Sequence, residues 1–410
     1  MRLIYIHQYF HTPDMAGGTR SYEMARRLVR RGWEVDLITS DPAAQPAAPP
    51  WRMSEVEGIR VHWTPVTYSN RMGHGERISA FLRFAWRAAR RAAAIRADVV
   101  FASSTPLTVA LPAAWAAFRR RVPMVFEVRD LWPETAIALG ALRNPVARGA
   151  ALALERFAYA RSAHVVACSD GMKAGVVRTG YPAERVSVIP NSCDTELFDV
   201  PCQVGDLLRA EVPWLGRRPL VLYAGTLGAV NGVGYLVDIA AAARSIAPDI
   251  RFAVLGDGRE TEQVRHAAAR AGVLGTTFHL LPRVAKREMP RWHSAATLCI
   301  SLVIDHPAML ANSANKVFDA LAAGRPVMLN YRGWQAELLE REGAGFAVPP
   351  SDSAAAAAAL ASRVADSQWI ESARAAARRL AYGPLNRERL ASQLAEVIER
   401  AAGSGPARSR

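Results

Sequence analysis

Cysteine, lysine and long apolar runs are all scarce in this sequence of 410 residues. The four cysteines form no C-x-x-C pair and show no other metal-ligand spacing, which indicates buried or incidental thiols in a reducing compartment; they are Cys168, Cys193, Cys202 and Cys299. No uncharged apolar run reaches the roughly 18 residues that a membrane-spanning helix needs. The start of the chain, MRLIYIHQYFHTPD, reaches polar and turn-forming residues too early for a secretory signal. We therefore expect a cytoplasmic protein.

Several chemical signatures are also absent. The sequence has no Asp-x-Asp pair, no H-E-x-x-H, no G-x-S-x-G and no G-x-x-x-x-G-K-[ST]. These motifs are typical of metal-assisted chemistry on sugar phosphates, zinc proteases, esterases and P-loop nucleotide hydrolysis. We therefore expect no metal and no separate cofactor.

Positive charge, in contrast, is abundant. The formal net charge is +14 and the sequence pI is near 10.3. Of the 51 basic residues 48 are arginine, and the lysines are Lys173, Lys286 and Lys316. Such an excess favours an anionic partner, namely nucleic acid, a membrane surface or a phosphate-bearing substrate. Nucleic acid is the weakest of these, because the arginines are dispersed and form no basic tail.

Short apolar runs alternate with helical patterns through most of the chain. We predict strands at residues 3–6, 35–39, 99–102, 124–128, 164–168 and 186–189, and again at 220–223, 251–255, 277–280, 297–302 and 326–329. Continuous apolar strands separated by helices indicate parallel sheets covered on both faces. The predicted fold class is α/β, with two doubly wound Rossmann-like domains that face a central cleft. Ligands of such sheets bind at the carboxyl ends of the strands.

The predicted domain boundaries follow from composition. Residues 1–199 form the first Rossmann-like domain, and the Pro- and Gly-containing segment 200–218 is an interdomain linker. Residues 219–384 form the second domain, which would bind the ligand's phosphates. A helix at 385–402 and a disordered tail at 403–410 complete the chain.

Each half opens with a strand that runs into a glycine turn and then a helix. Gly17 and Gly18 precede the first helix, and Gly225, Thr226 and Gly228 occupy the equivalent place in the second half. Glycine allows a ligand to approach the backbone, and a helix N-terminus attracts anions. The first turn is about as consistent with a purely structural role, whereas the second turn favours an anion site.

The segment ANSANKVFDALAAG, residues 311–324, is the most informative. Asn312, Ser313 and Asn315 can cap a helix that starts near Ala314. Lys316 then lies in the first turn, where the helix dipole disfavours a cation unless an anion is bound. Asp319 lies on the same face. The pattern fits a lysine on a diphosphate beside an acid on ribose hydroxyls, or a surface ion pair.

Charged residues follow the predicted strand at 124–128. The segment EVRDLWPE places Glu127, Arg129 and Asp130 at a strand-to-loop edge, where substrate-facing groups commonly lie. We interpret them as candidate catalytic residues, with structural salt bridging as the alternative.

Residues 77–96, RISAFLRFAWRAARRAAAIR, predict a basic amphipathic helix. Phe81 and Trp86 on one side, with Arg83 and Arg87 on the other, would suit an anionic membrane or an acceptor carried on it. A helix packed on the sheet with a solvated arginine face is the alternative.

Taken together, these segments resemble the retaining glycosyltransferase family 4, which has the GT-B architecture. The resemblance is carried by HQYFHTPDMAGGTRSYEMARRLVRRGWEVDLIT, SSTPLTVALPA, FEVRDLWPE, ACSDGMKAGV, VIPNSCDTELF, YAGTLG, VLGDG and ANSANKVFDALAAGRPV. The order and spacing are most similar to bacterial enzymes of colanic-acid, capsule and O-antigen synthesis, including L-fucosamine-transferase-like members.

The resemblance implies metal-independent transfer of a sugar from a nucleotide diphosphate, UDP being favoured, with retention at the anomeric carbon. The expected acceptor is an oligosaccharide or a lipid-linked sugar, namely one on polyprenyl diphosphate. Gly17 and Gly18 would approach the donor, Lys316 would hold the diphosphate, and Asp319 would replace the ribose-binding glutamate. The first glutamate of the family's two-glutamate motif falls on Ala311. Where many members carry an arginine and a lysine, this chain has Thr226 and Asn231. The diphosphate clamp is therefore expected to involve Lys316, Arg283 and Arg20.

Two other functions remain open at this point. A nucleotide-sugar epimerase can share the two-domain architecture and would convert its donor without an acceptor. A non-catalytic protein that binds nucleotide sugars or membrane anions would bind the donor without transfer.

Overall fold

The computed structural model describes residues 1–41, 44, 49–68 and 72–403. Its first domain is built on an eight-stranded sheet with the order β3-β4-β2-β1-β5-β6-β7-β8, in which only β3 runs antiparallel to its neighbour. The strands are β1 (Arg2–Ile6), β2 (Glu34–Ser40), β3 (Arg52–Val56), β4 (Ile59–Thr64), β5 (Val99–Ser103), β6 (Met124–Val128), β7 (His164–Ala167) and β8 (Val186–Val188).

Helices cover both faces of this sheet. They are α1 (Arg20–Arg30), α2 (His74–Ala94), α3 (Ala110–Arg120), α4 (Glu134–Ala138), α5 (Pro145–Ala160), α6 (Asp170–Arg178) and α7 (Thr195–Phe198). The central strands β1 and β5 are almost wholly buried, as their continuous apolar sequences predict.

The second domain contains a six-stranded, fully parallel sheet with the order β11-β10-β9-β12-β13-β14. Its strands are β9 (Leu220–Ala224), β10 (Arg251–Leu255), β11 (Phe278–Leu281), β12 (Leu298–Ser301), β13 (Val327–Leu329) and β14 (Gly345–Ala347). The remaining helices are α8 (Cys202–Glu211), α9 (Gly234–Ile246), α10 (Thr261–Arg270), α11 (Met289–Ala295), α12 (Asn315–Ala322), α13 (Trp334–Glu342), α14 (Ser353–Ala365), α15 (Ser367–Tyr382) and α16 (Arg387–Gly403).

Strand order reverses at one place in each sheet, between β1 and β5 and between β9 and β12. A crevice forms at the carboxyl ends of the strands where the crossover direction changes. His7 directly follows β1 and Gly225 directly follows β9, so these two positions mark the two crevices. The predicted fold class, two Rossmann-like parallel-sheet domains, is confirmed.

The segment expected to be a linker is folded. Residues 202–211 form α8, and its buried Leu208 joins the apolar core of the second domain. The prolines and Gly216 that suggested a flexible connection instead lie at the two ends of this helix and in the turn before β9.

The last helix belongs structurally to the first domain. Leu390, Leu394 and Ile398 of α16 are buried in one apolar cluster with Leu3 and Val35 of the first sheet. The predicted C-terminal helix at 385–402 therefore packs back across the molecule. Residues 404–410, most of the segment expected to be a disordered tail, lie outside the described residues.

The chain thus passes between the domains twice, and the two passages lie side by side. The backbone N–H of Cys193 donates to the carbonyl of Leu385 (2.9 Å), and Nη2 of Arg387 donates to the carbonyl of Ser192 (2.7 Å).

Besides α8, three strands were missed by the sequence prediction. The β3–β4 hairpin is built from RMSEV and IRVHWT, whose apolar content is too uneven for a buried strand. The edge strand β14 has only three residues. Among the described residues, no helix is both long enough and apolar enough to cross a membrane.

Candidate active site

His7, at the carboxyl end of β1, lies between Ser21 and Arg129. Nδ1 of His7 lies 2.9 Å from Oγ of Ser21, and its Nε2 lies 3.2 Å from Nη1 of Arg129. Burial and the adjacent Arg129 hold the pKa of His7 well below its usual range. Since a guanidinium only donates, Nε2 of the neutral imidazole accepts from Arg129 and Nδ1 carries the proton.

A second histidine lies directly against the turn. A methyl group added at Gly17 would come within 2.8 Å of Nδ1 of His11, and φ of Gly17 is +153°. Burial, Arg129 and Arg283 lower the pKa of His11. Arg283 belongs to the second domain, so cations from both domains act on this one imidazole.

The second turn lies against Lys316. A methyl group at Gly225 would be 3.0 Å from Cε of Lys316 and 3.3 Å from the hydroxyl of Tyr223. The ammonium donates to Oδ1 of Asn231 (3.2 Å) and lies 5.0 Å from the centre of the Tyr223 ring. Burial lowers the pKa of Lys316 to about 8. No carboxylate among the described residues forms an ion pair with this cation. An anionic ligand would supply the missing negative charge and offset the cost of burying the ammonium.

The N-terminus of α12 lies between the two turns. A methyl group at Gly18 would be 3.5 Å from the Asn315 amide nitrogen and 4.0 Å from Nη2 of Arg129. Asn315 is the first residue of α12 and Lys316 the second. The start of this helix therefore contacts the first glycine turn through Asn315 and the second through Lys316. The remainder of the second turn is open, with Thr226 exposed and Gly228 half-buried.

The expected helix cap differs from the structure. The residue before α12 is Ala314, and no side chain caps the helix. The Ser313 carbonyl instead accepts from Nδ2 of Asn191 (2.7 Å), and the Asn312 carbonyl accepts from Nε1 of Trp334 (2.8 Å). Asn312 and Ser313 therefore hold the segment in place through their backbone, and leave the helix N-terminus available to an anion.

Arg20 and Glu127 are paired with each other. Nε and Nη2 of Arg20 donate to Oε1 of Glu127, and Ser103 Oγ donates to Oε2 (2.6 Å). Arg20 also donates to the carbonyls of Ile189 and Pro190. Burial alone would raise the pKa of Glu127, but Arg20 and Arg129 lower it below its usual value. The structure places both side chains in a structural network beneath the cleft rather than in it.

Asp130 and Asp319 occupy different surroundings. Asp130 accepts from the Thr105 hydroxyl (3.2 Å), and the surrounding protein raises its pKa although the side chain is exposed to the cleft. Asp319 forms an ion pair with Lys286, whose ammonium lies 4.9 Å from the centre of the Phe198 ring. A ribose on Asp319 would therefore share the carboxylate with Lys286.

Loops from the two domains close over this region. The N–H of Lys286 donates to the carbonyl of Met15 (3.1 Å), and the N–H of Arg287 donates to that of Pro13 (3.0 Å). The Ser169 hydroxyl donates to the carbonyl of Ala311 (2.7 Å). Both glycine turns consequently face one cleft between the domains.

Sequence reasoning missed His7, His11, Tyr223 and Asn191. His7 and Asn191 carried a signal, because each closely follows a predicted strand of a parallel sheet, where ligand-facing groups collect. The contact between His11 and Gly17 lies within a loop whose path no periodicity predicts.

The described residues contain no group of three or more histidine, cysteine, aspartate or glutamate side chains placed to hold a metal ion.

The two halves match two family models in succession. Residues 16–192 match the glycosyl transferase 4-like domain, and residues 218–366 match glycosyl transferases group 1. Among curated proteins, the alpha-D-kanosaminyltransferase of Streptomyces kanamyceticus is 23% identical over 233 residues. That match covers 56% of this chain and 58% of the relative, little more than half the length of each.

Solved structures share the whole architecture. Sucrose-phosphate synthase from Thermosynechococcus elongatus superposes with a TM-score of 0.78 over 98% of this chain and 100% of that chain, at 19% identity. HepE of Anabaena, in complex with UDP-glucose, gives 0.72 over 98% and 100%, at 20% identity. The colanic-acid and fucosamine resemblance stays a prediction. With two glycosyltransferase domains in succession on two facing parallel-sheet domains, the chain belongs to the glycosyltransferases of GT-B fold.

Proposed function

We propose that this glycosyltransferase moves a sugar from a nucleotide-diphosphate sugar, UDP being the favoured nucleotide, to a saccharide or lipid-linked acceptor of surface polysaccharide synthesis. The observation that carries the proposal is the N-terminus of α12 between two glycine turns, with the half-buried Lys316 there paired with no carboxylate of the described residues. The UDP-glucose bound to HepE, a protein of the same fold, supports the choice of donor.

The chemistry follows from where charge develops. Cleavage of the bond between sugar and phosphate places negative charge on the departing diphosphate. In this proposal the Lys316 ammonium and the free N–H groups of α12 stabilise that charge, which is the work a metal ion does in other transferases. Because Gly225 has no side chain, the diphosphate can lie against the backbone beside Lys316.

The acceptor side is assigned to the first domain. Arg129 and the exposed Asp130 lie at the carboxyl end of β6, and Arg129 is held by the neutral His7 at the carboxyl end of β1. We assign acceptor positioning to this pair. Attack from the face that the diphosphate leaves would retain the anomeric configuration, with the leaving phosphate oxygen taking the acceptor's proton.

Replacing Lys316 tests the donor site. We expect Lys316→Ala to lower turnover at least about 100-fold, since one well-placed electrostatic contact is worth about 3–4 kcal/mol of barrier. The measurement is acceptor-dependent UDP release from a panel of UDP-sugars, with and without EDTA. Lys173→Ala, a lysine on α6, is the matched control and should leave turnover unchanged. Near-normal turnover in the Lys316 variant would remove this residue from the proposed site.

The same assay separates the other two functions. An epimerase would convert the UDP-sugar in the absence of any acceptor, which product analysis by NMR detects. A non-catalytic binding protein would show a thermal shift with UDP-sugar and no UDP release. Loss of activity in EDTA would contradict metal independence without affecting the transferase proposal.

A membrane-bound acceptor is favoured by one surface of the first domain. Helices α2 and α3 pack together and leave large apolar side chains exposed, including Trp86 at 61% and Phe118 at 72%. Arg90 lies over Trp86 and Arg119 over Trp115, so cations border the apolar groups. We infer that this α2–α3 surface contacts an anionic bilayer that carries the acceptor.

The structure changes which residues of α2 form this surface. Phe81 is half-buried and stacks on Tyr68, and Arg87 turns inward to donate to the Thr64 hydroxyl (3.1 Å). Trp86 and Arg83 remain exposed as expected. The exposed apolar stripe is Ile78, Leu82 and Trp86, at helical spacing.

A further inference from the structure

A cavity separate from the cleft lies at the amino ends of the strands of the second domain's sheet, whereas the cleft lies at their carboxyl ends. It has a volume of about 450 Å³ and is lined by residues of α8 and α15 and by segments that precede strands. Ser294, Ala295 and Ala296 lead into β12, while Gly324 and Arg325 lead into β13. Parallel strands point their carboxyl ends at the cleft, so this cavity is separate from the proposed donor site.

Arginine dominates the lining of this cavity. Arg209, Arg325, Arg374 and Arg378 contribute four positive charges, against the two carboxylates of Asp206 and Glu371. Glu371 is exposed and pairs with Arg374 through Nη1. Burial, followed by repulsion from Arg374, lowers the pKa of Arg325 to about 10. The cavity therefore has an uncompensated positive field.

Part of this arginine cluster has a structural role. Arg209 donates to the carbonyls of Gly216, Arg218 and Ala295, and Nη2 of Arg325 donates to the carbonyl of Ser294 (2.8 Å). These bonds satisfy carbonyls at the end of α11 and in the turn before β9. They would account for Arg209 on their own.

The remaining donors have no such explanation. Nε of Arg325 and Nε of Arg374 are buried and have no hydrogen-bond partner among the residues that the structure describes. Arg378 makes no hydrogen bond or ion pair with any residue that the structure describes. Its Nε would lie 2.8 Å from a methyl group at Gly324, whose φ is +63°, so the absence of a side chain there lets the guanidinium lie close over the backbone.

We propose that this cavity binds a small phosphate-bearing anion with two or more negative charges, held by Arg325, Arg374 and Arg378. Guanidinium groups form paired, charge-assisted hydrogen bonds with phosphate oxygens, and a divalent anion would neutralise the excess of two positive charges. The site goes beyond the proposed transfer reaction, because it lies at the amino ends of the strands and shares no residue with the cleft.

Inorganic pyrophosphate is the probe for this site. Because pyrophosphate can also enter the cleft beside Lys316, the titration is done on the full-length Lys316→Ala protein by calorimetry at 150 mM salt. We expect that protein still to bind one pyrophosphate, and Lys316→Ala/Arg378→Gln to bind it at least 10-fold more weakly. The matched control is Arg379→Gln in the same background, an exposed arginine of the same helix outside the cavity.

The proposal is overturned if the Lys316→Ala protein, with a native thermal melt, binds no pyrophosphate, or if Arg378→Gln and Arg379→Gln bind it equally. Wild-type protein saturated with UDP provides the same test without the Lys316 change. A parallel titration with glucose 6-phosphate separates the sources, since tighter binding of either probe shows whether the anion is inorganic or carried on a metabolite. Arg378→Gln should leave UDP affinity unchanged, so its result is independent of the proposed function.

Discussion

At the scale of the residue, Lys316 shows how position changes the meaning of a charge. A cation in the first turn of a helix opposes the helix dipole, and here burial opposes it as well. A bound anion offsets both penalties, because the positive end of the helix dipole and the ammonium each attract it. The cost of an uncompensated lysine therefore indicates a site that is complete only with its ligand.

This environment predicts a pH dependence. Since the pKa of Lys316 is about 8 in the free protein and an anion raises it, the protonated form binds UDP better. Affinity for UDP should be flat between about pH 7, where the terminal phosphate is fully ionised, and pH 8, and should fall by up to about tenfold per pH unit above that. Calorimetric titration between pH 6 and 9.5 measures this.

Arginine provides the control for that profile. Lys316→Arg keeps a positive charge throughout this range, because a guanidinium remains protonated. The bend near pH 8 should therefore vanish in the Lys316→Arg protein, even if its absolute affinity differs. A bend that persists would assign the titration to another group in the cleft.

At the scale of the element, each glycine turn depends on what lies against it. A methyl group at Gly225 would press on Cε of Lys316 at 3.0 Å, whereas one at Gly228 would meet only Cγ2 of Thr226 at 3.7 Å. We expect Gly225→Ala to weaken UDP binding several-fold by displacing the ammonium, and Gly228→Ala to have little effect. Equal loss in the two variants would show that Gly225 does not act through its close approach to Lys316.

The α2–α3 surface also yields a prediction at this scale. Leu82→Ser/Phe118→Ser should release the enzyme from vesicles that contain anionic lipid, because each change removes exposed apolar area from the contact. Co-sedimentation with such vesicles measures the effect. Leu207→Ser, an equally exposed leucine on α8, is the control. If neither protein is released, or both are, this surface is not the membrane contact.

Sequence periodicity predicts most of the buried strands and misses the β3–β4 hairpin and α8. The buried strands β1 and β5 carry continuous apolar runs, and β10 has the predicted boundaries. Strand β3 was missed because it is largely exposed, and β4 because polar residues interrupt its apolar ones although the strand is buried. Helix α8 was missed because its flanking prolines suggested a linker. Partners of side chains were the least predictable, because Arg20 meets Glu127 across 107 positions of sequence.

At the scale of the whole molecule, α16 ties the end of the chain to the first domain. Leu394 is fully buried among residues of that domain, and replacing a buried leucine by alanine typically costs about 2–5 kcal/mol. We expect Leu394→Ala to destabilise the first domain by that amount in chemical denaturation, and the exposed Arg389→Ala to change stability by less than about 0.5 kcal/mol. Because UDP contacts mainly the second domain in our proposal, UDP should still bind the Leu394 variant below its melting temperature.

The cleft itself could be inferred from the sequence, because two strand–glycine–helix patterns of similar size imply two facing crevices. The sequence does not show which charged side chains pair with one another inside each domain and are therefore not available to a ligand. Glu127 and Arg20 looked equally suited to a ligand, and only the buried geometry of their pairing assigns them to the scaffold.

The two adjacent chain passages at Cys193 and Leu385 restrict how the two domains can move relative to each other. Two adjacent chain connections form a hinge. Such a hinge permits rotation of one domain relative to the other about a single axis and resists their twisting and sliding. Swinging open would break the contacts of Pro13 and Met15 with the segment at Lys286 and Arg287 while the bonds at the hinge survive. Entry of a bulky ligand would thus require the loss of only a few hydrogen bonds between the loops of the two domains. The two domains would return to the same alignment after every catalytic cycle.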